Sequence, residues 1–461
     1  MKIFSITAIV VLAWAIVATD VHGQAGVSSS SFGVARSGVH NRFGDSLMPP
    51  PEFFRVEEFV NYHRHDLPLP TGNKKVRLNV QQMELEDDKT LLQFGITTPR
   101  AIGEEDLPPL NVVLVIDESG SMSGEKMEKL KEALSAFVDR FRSSDSVAIV
   151  GFENKARLIL PATKKTETHK IRAAIDDITA GGGTNLHAGL MMGYREALEN
   201  FDAERTNRVI FLTDGNANVG ETHAAEIAAE SKRCINKGIS LVTIGLGVDF
   251  NNGLLREIAD SGRGTMHYIG DAKDIRKTFV KEVDSLLAPA ATKVRLEIKL
   301  DDASKAKVFG YKKKLDRSDD KLVLNLDDLN CGATQVVLMK FSGEEMIGEA
   351  TLKYVDAITK EKVEVDVDLE DVDGASSASI NRNYAISKIA GGLNASADFY
   401  QEGRRSKAEE ALKSALRKAR KYRDLDDDSH VRRVAKIANG YLEKLSSLKD
   451  EHRPEPVESK W

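Results

Sequence analysis

The chain has 461 residues, 41% hydrophobic and 30% charged, an ordinary globular composition long enough for about three domains. With 65 Lys and Arg against 71 Asp and Glu, the net charge of -6 gives no electrostatic footprint for nucleic acid. Its two cysteines, Cys234 and Cys331, fall in different predicted domains and are expected to be buried free thiols rather than a disulfide.

Residues 1–23 read as an export signal. Lys2 supplies a positive start, residues 3–18 are apolar apart from Ser5 and Thr7, and cleavage is expected after Gly23. The apolar run is shorter than the ~20 residues a spanning helix needs, so no membrane span is expected after cleavage. Residues 24–74 come next: a loose Ser- and Gly-rich tail to about residue 50, punctuated by Pro49-Pro50-Pro51, then a short helix over 55–62 whose Val56, Phe59 and Val60 share one face. Asn61-Tyr62-His63-Arg64-His65 lacks any zinc-ligand spacing and reads as a solvated loop.

Over 75–108 the apolar period changes to two. Val76, Leu78 and Val80 form one strand and Leu92, Phe94 and Ile96 another, joined at Asp87-Asp88. Residues 109–288 then alternate strand and helix, with strands over 110–116, 147–152, 158–160, 209–213, 240–246 and 266–269. The helices between and after them cover 125–142, 166–179, 184–199, 224–237, 252–260 and 272–287. The strands are almost wholly apolar, as in a sheet covered by helices on both faces, so this segment reads as a doubly wound, mostly parallel α/β unit. Residues 289–374 return to an alternation of two, as in Val294, Leu296, Ile298 and Leu300. Together with 75–108 they are expected to form one β-sandwich into which the α/β unit is inserted. Residues 375–461 read as helical: Ala408, Leu412, Ala415 and Ala419 keep helical spacing, as do Val434, Ile437, Ala438, Tyr441 and Leu445. The basic stretch 417–423 within them is followed at once by acids and reads as a solvated helix face.

Two apolar strands end in aspartate, and each aspartate opens a hydroxyl- or glycine-rich loop: Asp117-Glu118-Ser119-Gly120-Ser121 and Asp214-Gly215. Between them lies Gly181-Gly182-Gly183-Thr184. The carboxyl ends of parallel strands are where open α/β sheets bind ligands. There, Ser119, Ser121 and Thr184 offer neutral hydroxyls for a hard divalent cation, while Asp117 and Asp214 accept hydrogen bonds from those hydroxyls and from bound water. A site with so few anionic ligands leaves the ion electrophilic and able to take a carboxylate from another molecule.

These residues resemble the metal-ion-dependent adhesion site of von Willebrand factor type A (VWA) domains, with Asp117, Ser119, Ser121, Thr184 and Asp214 each matching the motif. The flanks resemble exported bacterial proteins built around such a domain. The resemblance implies Mg²⁺ (or Mn²⁺ or Ca²⁺) at the site and a protein partner offering Glu or Asp. It further implies a last helix, 272–287, that shifts when coordination changes. Glu118 departs from the family, which usually carries an apolar or small residue there, and is expected to point to solvent. Asn216 and Asn218 read as turn formers.

The leading expectation is therefore a non-enzymatic, exported binding module acting in the periplasm, at the cell surface or as a secreted protein. The alternative is a metal-assisted phosphoryl transferase or hydrolase using Asp117 as nucleophile. The position two residues on, where such enzymes need a second acid, is Ser119. No phosphate-binding P-loop follows the glycine run, and no Gly-x-Ser-x-Gly nucleophile turn is present.

Overall fold

The computed structural model describes residues 30–40, 46–247, 252–261, 264–270, 272, 275, 276, 279, 288–312, 314–343, 348–372 and 378–447. The proposed export signal, the last helix over 273–287 for the most part, and the chain after 447 lie outside the described residues. Of that last helix, Ala272, Ile275, Arg276 and Phe279 are helical.

Along the chain come α1 (Ser30–His40), α2 (Val56–Asn61), β1 (Arg77–Leu85) and β2 (Lys89–Thr97). The α/β unit follows: β3 (Leu110–Asp117), α3 (Glu125–Val138), β4 (Ser146–Phe152), β5 (Ala156–Lys164), α4 (Thr168–Asp176), α5 (Leu186–Glu199), β6 (Thr206–Thr213), α6 (Ala224–Ile235), β7 (Ile239–Leu246), α7 (Asn252–Ser261) and β8 (Thr265–Ile269). After it come β9 (Pro289–Leu300), β10 (Ala306–Val308), β11 (Leu315–Arg317), β12 (Lys321–Asn325), β13 (Leu329–Asn330), β14 (Thr334–Ser342), β15 (Gly348–Asp356) and β16 (Lys362–Asp368). Three helices close the chain: α8 (Ala378–Gln401), α9 (Arg405–Arg420) and α10 (Ser429–Ser447).

The α/β unit has a sheet in the order β5-β4-β3-β6-β7-β8, all parallel except β5, which pairs antiparallel with β4 at the edge. Because side chains alternate along β3, Leu110, Val112, Leu114 and Ile116 enter one core with α3 and α4, while Val113 and Val115 enter another with α5 and α7. That is why the strand reads as a continuous apolar run.

The strands before and after this unit join. β14 pairs antiparallel with β2, bringing Val337 opposite Phe94, in a sheet ordered β1-β2-β14-β10. A second sheet, β11-β12-β9-β15-β16, packs against it, and Leu92, Phe94 and Ile96 of the first share a core with Leu296, Ile298 and Leu352 of the second. The α/β unit is thus inserted in a β-sandwich. The outer face of the first sheet is covered in turn by the terminal helices: Val336 and Leu338 pack with Ile386, Ile389, Leu393 and Tyr441.

Two expectations are corrected. Residues 30–40 form a helix, α1, where a loose tail was expected. Serine and glycine make the segment a poor helix by propensity, but it is held by packing. A Cβ built on Gly33 would lie 2.6 Å from the Tyr268 ring, and the Tyr441 hydroxyl donates to the Ala35 carbonyl at 2.8 Å. His63 and His65 are buried, not solvated. The His63 ring stacks on His430 from α10, with centroids 4.0 Å apart, and lies 4.6 Å from His65. Burial, together with nearby His430 and Arg382, pushes the pKa of both down, that of His65 to about 3.

Cys234 and Cys331 are free and half-buried, in agreement with unpaired thiols. Burial pushes the Cys331 thiol up to about 12, which leaves it protonated and unreactive. No helix among the described residues is long and apolar enough to cross a membrane.

Candidate metal centre

β3 and β6 are neighbours in the sheet, with Ile116 opposite Leu212, so Asp117 and Thr213-Asp214 leave it side by side. Asp117 is fully buried. Its Oδ1 accepts the Ser119 amide at 2.8 Å, and its Oδ2 accepts the Thr213 hydroxyl. This local hydrogen bond bends the chain into the turn Gly120–Met122 and aims both serines back over the strand end. Ser119 Oγ and Ser121 Oγ come to 3.1 Å of each other, and Ser121 Oγ donates to Asp214 Oδ1 at 2.6 Å.

Thr184 arrives from the glycine loop. Its amide is held by Asn218 Oδ1 at 2.8 Å, and its carbonyl accepts the Asn218 amide at 3.1 Å. Asn185 then caps α5 by accepting the Ala188 amide at 3.0 Å, which fixes where the loop ends and the helix begins. Gly215 lies between the loops: a Cβ built on it would sit 3.2 Å from Thr184 Oγ1 and 3.6 Å from Asp117 Oδ2. Any larger residue there would press on Thr184. All five residues singled out in the sequence therefore converge. Asp117, Ser119, Thr184 and Asp214 are buried, and Ser121 is exposed at the rim.

Burial pushes the Asp117 pKa up against the pull of its hydrogen bonds from Ser119 and Thr213, and the neighbouring Asp214 adds to the rise. Two carboxylates so placed favour a cation beside them. Among the described residues no three His, Cys, Asp or Glu side chains gather as a metal site.

The reading of Glu118 as a solvent-pointing residue is overturned. It is 2% exposed, and its carboxylate takes Arg157 Nε at 2.9 Å and Nη2 at 2.5 Å and the Thr179 amide at 3.3 Å. Its backbone carbonyl accepts the Gly181 amide at 2.6 Å, while Gly120 N donates to Gly182 O at 3.1 Å. Glu118 thus ties the loop of Ser119 and Ser121 to the loop of Thr184. Asn218 is likewise more than a turn former, since it positions Thr184. Two further residues escaped the sequence reading: Thr213, which anchors Asp117, and Lys126, whose ammonium contacts Asp214 Oδ2 and the Ser121 carbonyl.

The sequence model of the von Willebrand factor type A domain matches residues 111–281. This segment is a von Willebrand factor type A domain. The chain is 31% identical over 319 residues to the uncharacterized protein YfbK of Escherichia coli (strain K12), covering 66% of this chain and 55% of that protein. It is 28% identical over 195 residues to inter-alpha-trypsin inhibitor heavy chain H2 of Sus scrofa, covering 41% of this chain and 21% of that one. The chain thus spans about half of the first relative and a fifth of the second. Among solved structures, a von Willebrand factor type A protein from Catenulispora acidiphila superposes with a TM-score of 0.55 at 16% identity, over 78% of this chain and 93% of that one. That likeness extends well beyond the VWA domain and so includes part of the surrounding scaffold.

Proposed function

We propose that the protein is a non-enzymatic binding module that captures a Glu or Asp side chain of a protein partner through a divalent cation held by Ser119, Ser121 and Thr184. The observation that carries this reading is the 3.1 Å separation of Ser119 Oγ and Ser121 Oγ in front of two buried carboxylates. Adjacent ligands of an octahedral ion at about 2.1 Å stand about 3.0 Å apart, so the two hydroxyls are close enough together to share one divalent cation, Mg²⁺, Mn²⁺ or Ca²⁺. Asp117 and Asp214 would accept hydrogen bonds from the ligands and from bound water, leaving an electrophilic position open at the Ser121 rim for an outside carboxylate. The cation's part is to polarise and hold that carboxylate.

The phosphoryl-transfer alternative is disfavoured because Asp117 has both oxygens engaged and no exposure, so it holds a loop instead of attacking a substrate. The hydrophobic leader over 3–18 supports work outside the cytoplasm, in the periplasm, at the surface or after secretion. The test is a pull-down from envelope extract with wild type and Asp117→Ala, each in Mg²⁺ and in EDTA. A partner retained only by wild type in Mg²⁺ is expected. Retention untouched by EDTA and by the substitution would overturn the proposal.

A further inference from the structure

Asp214 has a fully buried side chain, and its two oxygens face two different groups. Oδ1 takes the Ser121 hydroxyl, while Oδ2 takes the ammonium of Lys126, which also donates to the Ser121 carbonyl at 3.3 Å. Lys126 reaches there from the first turn of α3, beside the loop after β7. A Cβ built on Gly247 would lie 3.7 Å from its Nζ. The first turn of a helix is electrostatically the wrong end for a cation. Helix stability alone therefore does not account for a lysine here, whereas a buried carboxylate without a counter-charge is costly and does. The Lys126 side chain remains about a third exposed, at 36%, so it has a route out to solvent.

We propose that Lys126 is the resident counter-ion of Asp214, which a divalent cation must displace, and that it thereby sets the metal affinity of the site. This rests on the metal-site reading above. A dication held at the Ser119, Ser121 and Thr184 hydroxyls and an ammonium on Asp214 both draw on the same carboxylate through Ser121. Two cations drawing on one buried carboxylate repel each other strongly in a poorly solvated site. Binding of the dication is then an exchange of one positive charge for two, with Lys126 swinging to the exposed rim. Without a dication the lysine offsets the charge of Asp214, and it weakens every dication by the strength of the contact it gives up. Once released, its ammonium stands at the same rim as Ser121, where an acidic partner residue would approach.

The test measures Mg²⁺ binding to the full chain by calorimetry and Mn²⁺ binding by electron paramagnetic resonance, with no partner present. It compares wild type, Lys126→Met, Lys126→Gln and Lys126→Arg. Removing the charge is expected to tighten both ions about tenfold or more, whereas Arg, which keeps it, leaves affinity within about threefold of wild type. Thermal melting gives a second readout. In EDTA the Met and Gln variants should melt below wild type, because Asp214 has lost its counter-ion, and Mg²⁺ should raise their melting temperature by more than it raises that of wild type. Wild type that binds Mg²⁺ while the Met and Gln variants bind it equally or more weakly would overturn the counter-ion role and leave the metal site standing. Wild type that binds neither ion would overturn the metal site itself, and this inference with it.

Discussion

The VWA domain is joined to the N-terminal segment by a buried ion pair, and breaking it gives the sharpest test of how the domains are held together. Arg256 on α7 is 6% exposed and Glu58 on α2 is 4% exposed. They meet through two contacts, Nη1 to Oε1 and Nη2 to Oε2, the latter at 3.3 Å. Glu58 also accepts the Ser31 amide at 2.7 Å and has Arg55 Nη1 at 3.9 Å, and Arg55 itself grips Asp260 of α7 at 3.0 Å. Removing one member of a buried pair typically costs 3–5 kcal/mol because the other charge is stranded. Here Ser31 and Arg55 remain on Glu58, so Arg256→Met is expected at the low end, about 3 kcal/mol. The Glu58 carboxyl points the same way: burial pushes its pKa up, but Arg256, Arg55 and the Ser31 amide together outweigh it and hold it at about 2 against an ordinary 4.5, a difference of about 3 kcal/mol shared among the three partners. Because the folded value is depressed, this stability is fully present above pH 4.5 and is lost as pH falls from 4.5 towards 2. Urea unfolding at pH 7 and pH 4 measures both effects. In Arg256→Met the stranded Glu58 gains by protonation, so the penalty should shrink at the lower pH. The double variant Glu58→Met with Arg256→Met removes both charges and should return to within about 1.5 kcal/mol of wild type. A single variant within about 1 kcal/mol of wild type, or a double variant less stable than the single, would refute the reasoning.

Two further outcomes follow from the corrected residues. Glu118→Ala removes the Arg157 and Thr179 contacts and should lower stability by about 2 kcal/mol, discounted for the half-exposed Arg157, while weakening Mg²⁺ binding several-fold; melting and calorimetry on the same samples check it, and unchanged Mg²⁺ affinity would deny Glu118 its role in joining the two loops. His63 and His65 have folded pKa values pushed down by burial, with His430, Arg382 and (at His63) Arg433 adding to it. Their stabilising contribution is therefore complete above about pH 6.5 and falls as pH drops below that value, for His65 towards about 3. Urea midpoints between pH 7.5 and 5 should decline in wild type and stay flatter in His63→Phe with His65→Gln; parallel declines would place the acid sensitivity elsewhere.

The parts of this protein that were legible in its sequence are those in which a residue's role is decided within a few positions of itself. Asp117 folds its own loop through the Ser119 amide two residues on, so Asp-x-Ser-x-Ser announces both the turn and the hydroxyls it presents. The apolar runs of β3 and β6 announce strands covered on both faces, and the change to a period of two announces the sandwich. What escaped depends on partners far along the chain. Glu118 looks like a surface acid until β5 delivers Arg157, 39 residues later. His63 and His65 look solvated until α8 and α10 close over them; Asn383, which meets His65 Nδ1 at 3.3 Å, is 318 residues away. Residues 30–40 have weak helix propensity, and the surface the helix packs on comes from distant elements, Tyr268 of β8 and Tyr441 of α10 among them. Polar type and local propensity predict exposure and disorder well when nothing distant intervenes, and fail where a long-range partner removes water.

The topology also separates the anchorage of the VWA domain from its candidate metal centre. The sandwich feeds the VWA domain at Leu110, the start of β3, whereas Asp117 ends the same strand seven residues later, about 23 Å further on. The anchoring charges Arg256 and Asp260 lie on α7, which runs back from the metal end of the sheet towards its foot, between β7 and the parallel β8. Buried ions therefore lock the foot of the domain to α2, while the loops at its head are joined to one another through Glu118, Asn218 and Thr213 and to β5 and α3 of the same domain through Arg157 and Lys126. Loop rearrangements there need not disturb the anchorage, because the hydrogen bonds that join the three loops are separate from the ion pairs that hold the foot.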